Sequence, residues 1–303
     1  MDFNPQDYVI FEGITGSRLY GTNTENSDTD YRSICLPPLK ILINPFSKFE
    51  QKDSGFEEAD KVIYDLGKYF ELCSKQNPNL LEILFVPANK TISKTECWDL
   101  ILENKHLFLS KKAKNTFLGY SFSQLHKIQL HRQWFIDPPK EKPTREMFGL
   151  TDSPIISGEG LLAVSNIKFD LLKESFQDEI RREIDYREEK KKWDNYISWK
   201  LSRNPERQRL EDKYKFDTKA SSHLIRLMTE GKELLLTGNI TFPLPNHEEI
   251  RAIKNGKYSY EEIIEMSETM SKEFDIWYSQ SILPDHADIN KLTELYFKIV
   301  LGE

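Results

Sequence analysis

Two aspartates separated by one residue, Asp28 and Asp30, are the side chains in this sequence whose types and spacing best suit joint chemistry. On an extended strand, residues i and i+2 point to the same face, so both carboxylates would be aimed at one place. Like charges held that close repel each other unless a hard divalent cation lies between them. The pair therefore predicts a site for Mg²⁺ or Mn²⁺. The alternative is an acidic turn whose side chains make only local hydrogen bonds.

A glycine-serine turn precedes this pair by about ten residues. Gly16 lets the backbone turn without a Cβ, so a phosphate can approach the amides that follow, and the Ser17 hydroxyl adds a donor. Arg18 lies in the same turn and either contacts phosphate or points to solvent. An EF-hand calcium loop is excluded, because its glycine and bidentate glutamate do not follow the aspartates at the required spacing. We expect a phosphate-binding turn beside the metal pair.

The pattern of apolar residues predicts the elements that hold these groups. Residues 8–13 and 31–36 are β-like runs on either side of the turn and the acid pair, and residues 82–86 form a third such run. Before the third run, Asp65 is placed to cap a helix with one apolar face, and Asn77-Pro78 stops that helix. After about residue 93 the apolar spacing becomes helical. The fold class predicted is α+β, with a mixed N-terminal sheet followed by a mostly α-helical region.

Three polar residues, Lys219, His223 and Arg226, lie at positions i, i+4 and i+7 of a predicted helix and would share one face. If that face lines a cleft, Lys219 and Arg226 could hold a triphosphate or an acidic acceptor, with His223 as a donor or proton shuttle. The alternative is a histidine packed and hydrogen-bonded beside the apolar residues of the same helix.

Composition limits the class of protein and its surroundings. With 303 residues, 38% hydrophobic and 30% charged, the chain is too apolar to be disordered and has room for one large or two ordinary domains. No apolar run reaches about 20 residues, and the N-terminus lacks the features of a secretory signal, so a cytoplasmic protein without membrane contact is expected. Three widely spaced cysteines indicate neither a disulfide framework nor a metal site.

Charge distribution narrows the binding partners. The formal net charge of −7 argues against non-specific nucleic-acid binding by the whole protein. Residues 111–146 have eight Lys or Arg against three acids, a local excess that could contact a polyanion. Residues 178–215 mix both signs of charge and include Tyr186, Trp193, Tyr196 and Trp199, which predicts an exposed helix carrying one aromatic stripe.

The turn and the acid pair together resemble the nucleotidyltransferase signature of the DNA polymerase β superfamily. Within it the chain is most similar to the RNA-repair-pathway polymerase β-like group (RlaP-like) of bacteria and phages. The matching segments are Gly16-Ser-Arg-Leu-Tyr-Gly, Ser27-Asp-Thr-Asp-Tyr-Arg, Asn77-Pro-Asn-Leu-Leu-Glu-Ile-Leu and Lys219-Ala-Ser-Ser-His-Leu-Ile-Arg-Leu. The resemblance implies a third metal-binding carboxylate on a neighbouring strand. Glu82 fits this role, whereas the rival Asp65 is explained by helix capping.

The resemblance also implies an activity. Such an enzyme transfers a nucleoside monophosphate from an NTP, ATP among them, to a hydroxyl acceptor and releases pyrophosphate. The metal would be held by Asp28, Asp30 and Glu82, and the phosphates by Gly16 and Ser17. Residues 1–105 would form the nucleotidyltransferase core, and residues 106–303 a helical domain that closes the cleft and selects the acceptor.

The acceptor stays open at this point. An RNA end or a tRNA is favoured by the family resemblance and by the basic segment 111–146. Transfer to a protein side chain or a small molecule is favoured by the acidic net charge. A non-catalytic nucleotide-binding protein is the remaining alternative, and the retention of both aspartates with the turn argues against it.

Overall fold

The computed structural model describes residues 3–25, 27–53, 60–154, 173–203 and 205–302. In these residues an N-terminal mixed sheet with short helices is followed by a region made mostly of α-helices. This arrangement confirms the α+β class predicted from the sequence.

One sheet contains five strands, which are β1 (Val9–Thr15), β2 (Asp30–Cys35), β3 (Gln51–Asp53), β4 (Asp60–Asp65) and β5 (Thr91–Lys94). Their order across the sheet is β3-β4-β2-β1-β5. The pair β2 and β4 is parallel, whereas the other neighbours are antiparallel. The strands predicted at 8–13 and 31–36 are confirmed as β1 and β2. Strand β2, which begins at Asp30, therefore lies between β4 and β1, and β1 leads into the glycine-serine turn.

Helices make up most of the remaining described chain. They are α1 (Ser17–Tyr20), α2 (Leu39–Leu42), α3 (Leu66–Ser74), α4 (Pro78–Leu81), α5 (Glu96–Glu103), α6 (Ala113–Ile136), α7 (Glu174–Ser202), α8 (Pro205–Tyr214), α9 (Thr218–Thr237), α10 (His247–Lys254), α11 (Tyr260–Gln280) and α12 (Ile289–Leu301). Within the described residues, none of these helices combines the length and the apolar character needed to cross a lipid bilayer.

Asp65 caps helix α3 as the sequence predicts. Its carboxylate accepts a hydrogen bond from the backbone N–H of Lys68 at 3.0 Å, which satisfies one of the free donors of the first turn. The apolar face of the helix is buried. The helix ends at Ser74, and Asn77 caps the following helix α4 by accepting a hydrogen bond from the N–H of Asn79.

The prediction of a strand at residues 82–86 is wrong. Glu82–Phe85 form a 3₁₀ helix directly after α4, and all four residues are buried. A short apolar run that is buried on every side has no periodicity to separate a strand from a helix. Proline at the first position of α4 favours the helical start, and the chain continues from there into the 3₁₀ turn.

The chain divides into two compact units. One contains Met1–Ile128 together with Asp217–Glu303, and the other contains Gln129–Phe216. This differs from the expected division at residues 105 and 106, because the C-terminal helices pack on the N-terminal region. Phe70 of α3, for example, contacts Tyr296 of α12 with ring centroids 5.5 Å apart. Such contacts between distant parts of a chain leave no local pattern in the sequence.

The unit of residues 129–216 contains the aromatic stripe predicted for residues 178–215. The ring of Trp199 on α7 lies 5.1 Å from that of Trp134 and 5.3 Å from that of His131, both on α6. Tyr196 contacts the same Trp134 ring at 5.8 Å. The stripe is therefore the packing face of an otherwise exposed helix, as aromatic pairs favour.

Candidate active site

The glycine-serine turn and the second aspartate are in contact. Gly16 joins β1 to α1 with φ +64° and ψ −150°, a region of backbone space that is essentially restricted to glycine. A Cβ at this position would lie 1.7 Å from Oδ2 of Asp30. Only a glycine therefore lets the turn approach this carboxylate.

The residues after Gly16 form the short helix α1. The backbone N–H groups of Leu19 and Tyr20 donate to the carbonyl of Gly16, at 3.0 and 3.1 Å. The N–H groups of Ser17 and Arg18 belong to the first turn, where a helix offers no internal acceptor. Ser17 is half-buried. The turn thus has the backbone donors that the sequence predicts for an anion.

Arg18 has a specific role inside the protein. Its Nε donates to the carbonyl of Asp28 at 3.2 Å, and its Nη2 donates to the carbonyl of Ser27 at 2.7 Å. The side chain therefore ties the loop that carries the first aspartate to helix α1. Contact with phosphate and exposure to solvent were the two interpretations open from the sequence, and neither anticipates this contact.

Asp28 and Asp30 differ in their surroundings. Asp28 is exposed, whereas Asp30 is half-buried at the start of β2, opposite Thr15 of β1. Burial raises the pKa of Asp30, and the negative charges of Asp28 and Asp60 raise it further, with partial opposition from Arg32. Burial is thus the main cause of the raised pKa, and the neighbouring carboxylates add negative charge that a bound cation would relieve.

Asp60 and Arg32 are two residues of this site that the sequence reasoning missed. Asp60 pairs with Asp30 in the parallel register of β4 and β2, so both side chains lie on the same face of the sheet. A hydrogen bond between the two carboxyl groups contributes to the raised pKa of Asp30. Nη1 of Arg32 lies 3.5 Å from Oδ1 of Asp60. The sequence shows Asp60 at the start of a β-like run. It does not show that this run pairs in parallel with the strand that begins at Asp30.

Glu82 is buried in a different environment. Its carboxylate accepts hydrogen bonds from the hydroxyl of Tyr20, at 2.8 Å to Oε2 and 3.1 Å to Oε1. Nη1 of Arg226 also lies 3.4 Å from its Oε2. Among the residues that the structure describes, no three His, Cys, Asp or Glu side chains are grouped closely enough to hold a metal ion. Asp28, Asp30 and Glu82 therefore do not form one ligand set here.

Arg226 is the centre of a buried charge cluster. Its Nη1 donates to Oε1 of Glu230 at 2.7 Å and to Oε2 of Glu82 at 3.4 Å, and its guanidinium carbon lies 4.2 Å from the ring centroid of Tyr20. The three charged side chains are 6% exposed or less. Burial raises the pKa values of both Glu82 and Glu230, with Arg226 opposing. The guanidinium expected to hold a triphosphate is already engaged by two carboxylates.

His223 and Lys219, the other two members of the predicted trio, lie in different environments. His223 is half-buried, and its Nε2 lies 2.6 Å from Nη2 of Arg226. Because a guanidinium can only donate, Nε2 is the acceptor. Burial and then the positive charges of Arg226, Lys127 and Lys219 lower the pKa of His223 to about 3. A neutral acceptor at physiological pH does not suit the expected role of proton shuttle. Lys219 is exposed near the start of α9.

One family model matches the part of the chain that contains the turn, the acid pair and the sheet. Residues 4–135 match the RNA repair pathway DNA polymerase beta family, RlaP. The resemblance drawn from the sequence motifs is therefore confirmed for this region, and it indicates a polymerase β-like nucleotidyltransferase. The matched residues include the turn, both aspartates, Asp60 and Glu82. The segment from Lys219 to Leu227 lies outside them.

One curated relative has a similar segment. The uncharacterized 38.9 kDa protein of the nrdC-mobD intergenic region of Enterobacteria phage T4 is 28% identical over 129 residues. The shared segment covers 39% of this chain and 38% of the length of that relative. No solved structure is significantly similar to this chain.

Proposed function

We propose that the protein transfers a nucleoside monophosphate from an NTP to a hydroxyl acceptor, with release of pyrophosphate. The observation that carries the proposal is the contact between the Gly16 turn and the carboxylate of Asp30. The turn that we propose binds phosphate and the carboxylate that we propose binds the cation are therefore adjacent, as in-line phosphoryl transfer requires. The family match supports this activity.

Mg²⁺ or Mn²⁺ suits the donors at this site. Carboxylate oxygens are the ligands these ions prefer, and a divalent cation would offset the negative charges of Asp28 and Asp60, which add to the effect of burial in raising the pKa of Asp30. We assign Asp28 and Asp30 as ligands, with Asp60 as a neighbouring acid whose negative charge adds to the attraction for the cation. Glu82 is not a ligand, because it is occupied by Tyr20 and Arg226. When bound, the cation supplies charge neutralisation on the triphosphate and activation of the acceptor hydroxyl.

The protein groups around the cation bind and orient the reactants. The N–H groups and the hydroxyl at Gly16 and Ser17 would bind the terminal phosphates, so fixed dipoles face the charge that develops on the leaving pyrophosphate. Arg18 holds the loop of Asp28 in place. Asp60, whose side chain is 54% exposed, can receive the proton of the acceptor hydroxyl.

An RNA end, including that of a tRNA, is the acceptor we favour. The description of the matched family names an RNA repair pathway, and residues 111–146 offer the basic excess that a polyanion needs. Three basic residues of this segment, Lys114, Lys127 and Arg145, already form ion pairs within the protein, so the attraction to a polyanion would come from the rest of the segment.

Label transfer tests the proposal. The protein is incubated with each α-labelled NTP, Mg²⁺ or Mn²⁺, and RNA with free ends, and labelled RNA is resolved on a gel. Transfer should disappear in Asp28→Asn and Asp30→Asn and persist in Asp152→Asn, which changes an exposed aspartate outside the site. Undiminished transfer by the Asp28→Asn/Asp30→Asn double variant would refute the mechanism. Label on added protein or on a small hydroxyl compound instead of RNA would reassign the acceptor.

A further inference from the structure

A groove runs along helix α11 in the unit that contains the sheet. One cavity of about 470 Å³ lies among α9, the residues before α10, and α11. A second cavity of about 470 Å³ continues along α11. The two share Glu249, Met266 and Met270 as lining residues, so they adjoin along α11, and together they are called the groove below.

The floor of this groove is apolar and adaptable. Met266 and Met270 are half-buried at its middle, and Leu236 of α9 is 36% exposed at one end. Methionine is unbranched and polarizable, so it reshapes around different apolar side chains. A floor of this kind is typical of grooves that accept the apolar face of a helix.

The rim of the groove is acidic. The lining residues include five glutamates and one lysine, and the glutamates are Glu233, Glu249, Glu262, Glu265 and Glu273. Among the ion pairs that the structure describes, none uses these glutamates. The single lysine, Lys232, lies over the ring of Trp277 at 5.2 Å.

Several of these carboxylates are held in place by neutral donors, which leaves their charge uncompensated. Glu233 accepts from the N–H of Thr241 at 3.0 Å. Glu262 accepts from the N–H and the hydroxyl of Ser259, and these bonds lower the pKa of Glu262. The groove is therefore lined by oriented negative charge as well as by the apolar methionines.

We propose that this groove binds a basic amphipathic helix of a partner protein. Apolar residues of that helix, at spacings i, i+3, i+4 and i+7, would pack on the methionine floor. Its lysines or arginines would extend their aliphatic stems over the rim and reach the glutamates. A nucleic acid is disfavoured as occupant, since its phosphates would face these carboxylates. The proposal is independent of the nucleotidyl transfer assigned to the sheet.

Designed peptides test the proposal directly. The probe is a fluorescein-labelled 18-residue helix of leucine and lysine with one apolar face, measured by anisotropy against the full chain. Two controls change one property each: glutamate for every lysine, and serine for every leucine. We expect binding of the leucine-lysine peptide alone. Binding of the serine-lysine peptide with equal affinity would overturn the proposal, because it would show attraction to charge only.

Charge-matched variants of the protein locate the site. Glu249→Lys/Glu265→Lys should weaken binding about tenfold or more, whereas Glu103→Lys/Glu188→Lys, with the same change in net charge at exposed positions elsewhere, should change it less than about twofold. Equal weakening by both pairs would contradict the assignment.

Methyl NMR of the unmodified protein tests the proposal even if one of the variants fails to fold. With ¹³C-methyl-labelled methionine, the signals of Met266 and Met270 should shift when the peptide is added, and that of Met147 in the other unit should not. Absence of shifts at saturating peptide would overturn the proposal. So would shifts of Met266 and Met270 caused by an RNA oligonucleotide at the same concentration, since these would indicate a nucleic-acid site.

Discussion

Replacement of Arg226 by methionine tests the buried charge cluster most sharply. Methionine keeps much of the length and apolar volume of the arginine stem but removes the guanidinium. Glu82 and Glu230 would then share a buried environment without a counter-charge, and Tyr20 would lose its cation–π contact. Removing one partner of a buried ion pair costs about 3–5 kcal/mol.

The size of the effect follows from the burial of the cluster. Both carboxylates and the guanidinium are almost inaccessible to water, so solvent screening does not reduce the penalty. We expect Arg226→Met to lower the free energy of unfolding by about 4 kcal/mol, a large share of the roughly 5–15 kcal/mol available to a domain. For a unit of this size the melting temperature should fall by about 10 °C.

The assay is urea unfolding followed by circular dichroism and tryptophan fluorescence. The matched variant is Arg226→Met/Glu82→Gln/Glu230→Gln, which removes all three charges together. Because neutral amides do not need a counter-charge, this variant should recover to within about 2 kcal/mol of the unmodified protein. A loss below about 1 kcal/mol in Arg226→Met would refute the assignment of Arg226 as counter-charge. A triple variant less stable than the single one would refute it as well.

The stability deficit of Arg226→Met should also depend on pH. Burial raises the pKa values of Glu82 and Glu230 in the folded protein, and loss of Arg226 removes the charge that opposes this rise. An acid whose folded pKa is above its unfolded pKa destabilises the fold at pH values above the unfolded pKa, near 4.5. The deficit should therefore shrink as the pH falls from 8 to 5. A deficit that grows over this range would contradict the reasoning.

Three further predictions concern the site itself. Gly16→Ala should lower stability by about 1–3 kcal/mol and abolish label transfer, because its Cβ would collide with Asp30 at a strained φ; normal melting and transfer would contradict the contact. Asp60→Asn should raise the Mg²⁺ concentration needed for half-maximal transfer, because a negative charge beside Asp30 is lost, whereas Glu82→Gln should leave that concentration unchanged; the reverse would show that Glu82 rather than Asp60 acts on the cation. The ring signals of His223 should not titrate between pH 8 and 5 by NMR, since its pKa is lowered to about 3, and a midpoint near 6.5 would show it is not buried beside Arg226.

The features that the sequence predicted well depend on nearby residues. The turn at Gly16 could be predicted because glycine is the only residue type that readily adopts its backbone angles. The extended strand that begins at Asp30 could be predicted from its β-like composition. The cap at Asp65 is likewise formed with a residue three positions away. Interactions of this range are encoded within one short stretch of chain.

The features that the sequence missed depend on residues far apart. Asp60 reaches Asp30 only through a parallel pairing of β2 and β4, which sequence spacing does not specify. Glu82 contacts Arg226, which lies 144 residues further along the chain. Because of this contact, Glu82 is buried beside hydrogen-bond donors that are already in place. For this reason Glu82 is not available as a third metal ligand.

The sequence by itself therefore determined the features on which the proposed chemistry rests, since a glycine-serine turn and two spaced aspartates can be recognised within one short segment of chain. Only the tertiary structure decided which other charged groups accompany them. Whether a carboxylate is available to a cation or already neutralised by a guanidinium depends on desolvation and on partners from distant segments, and these are set when the chain packs.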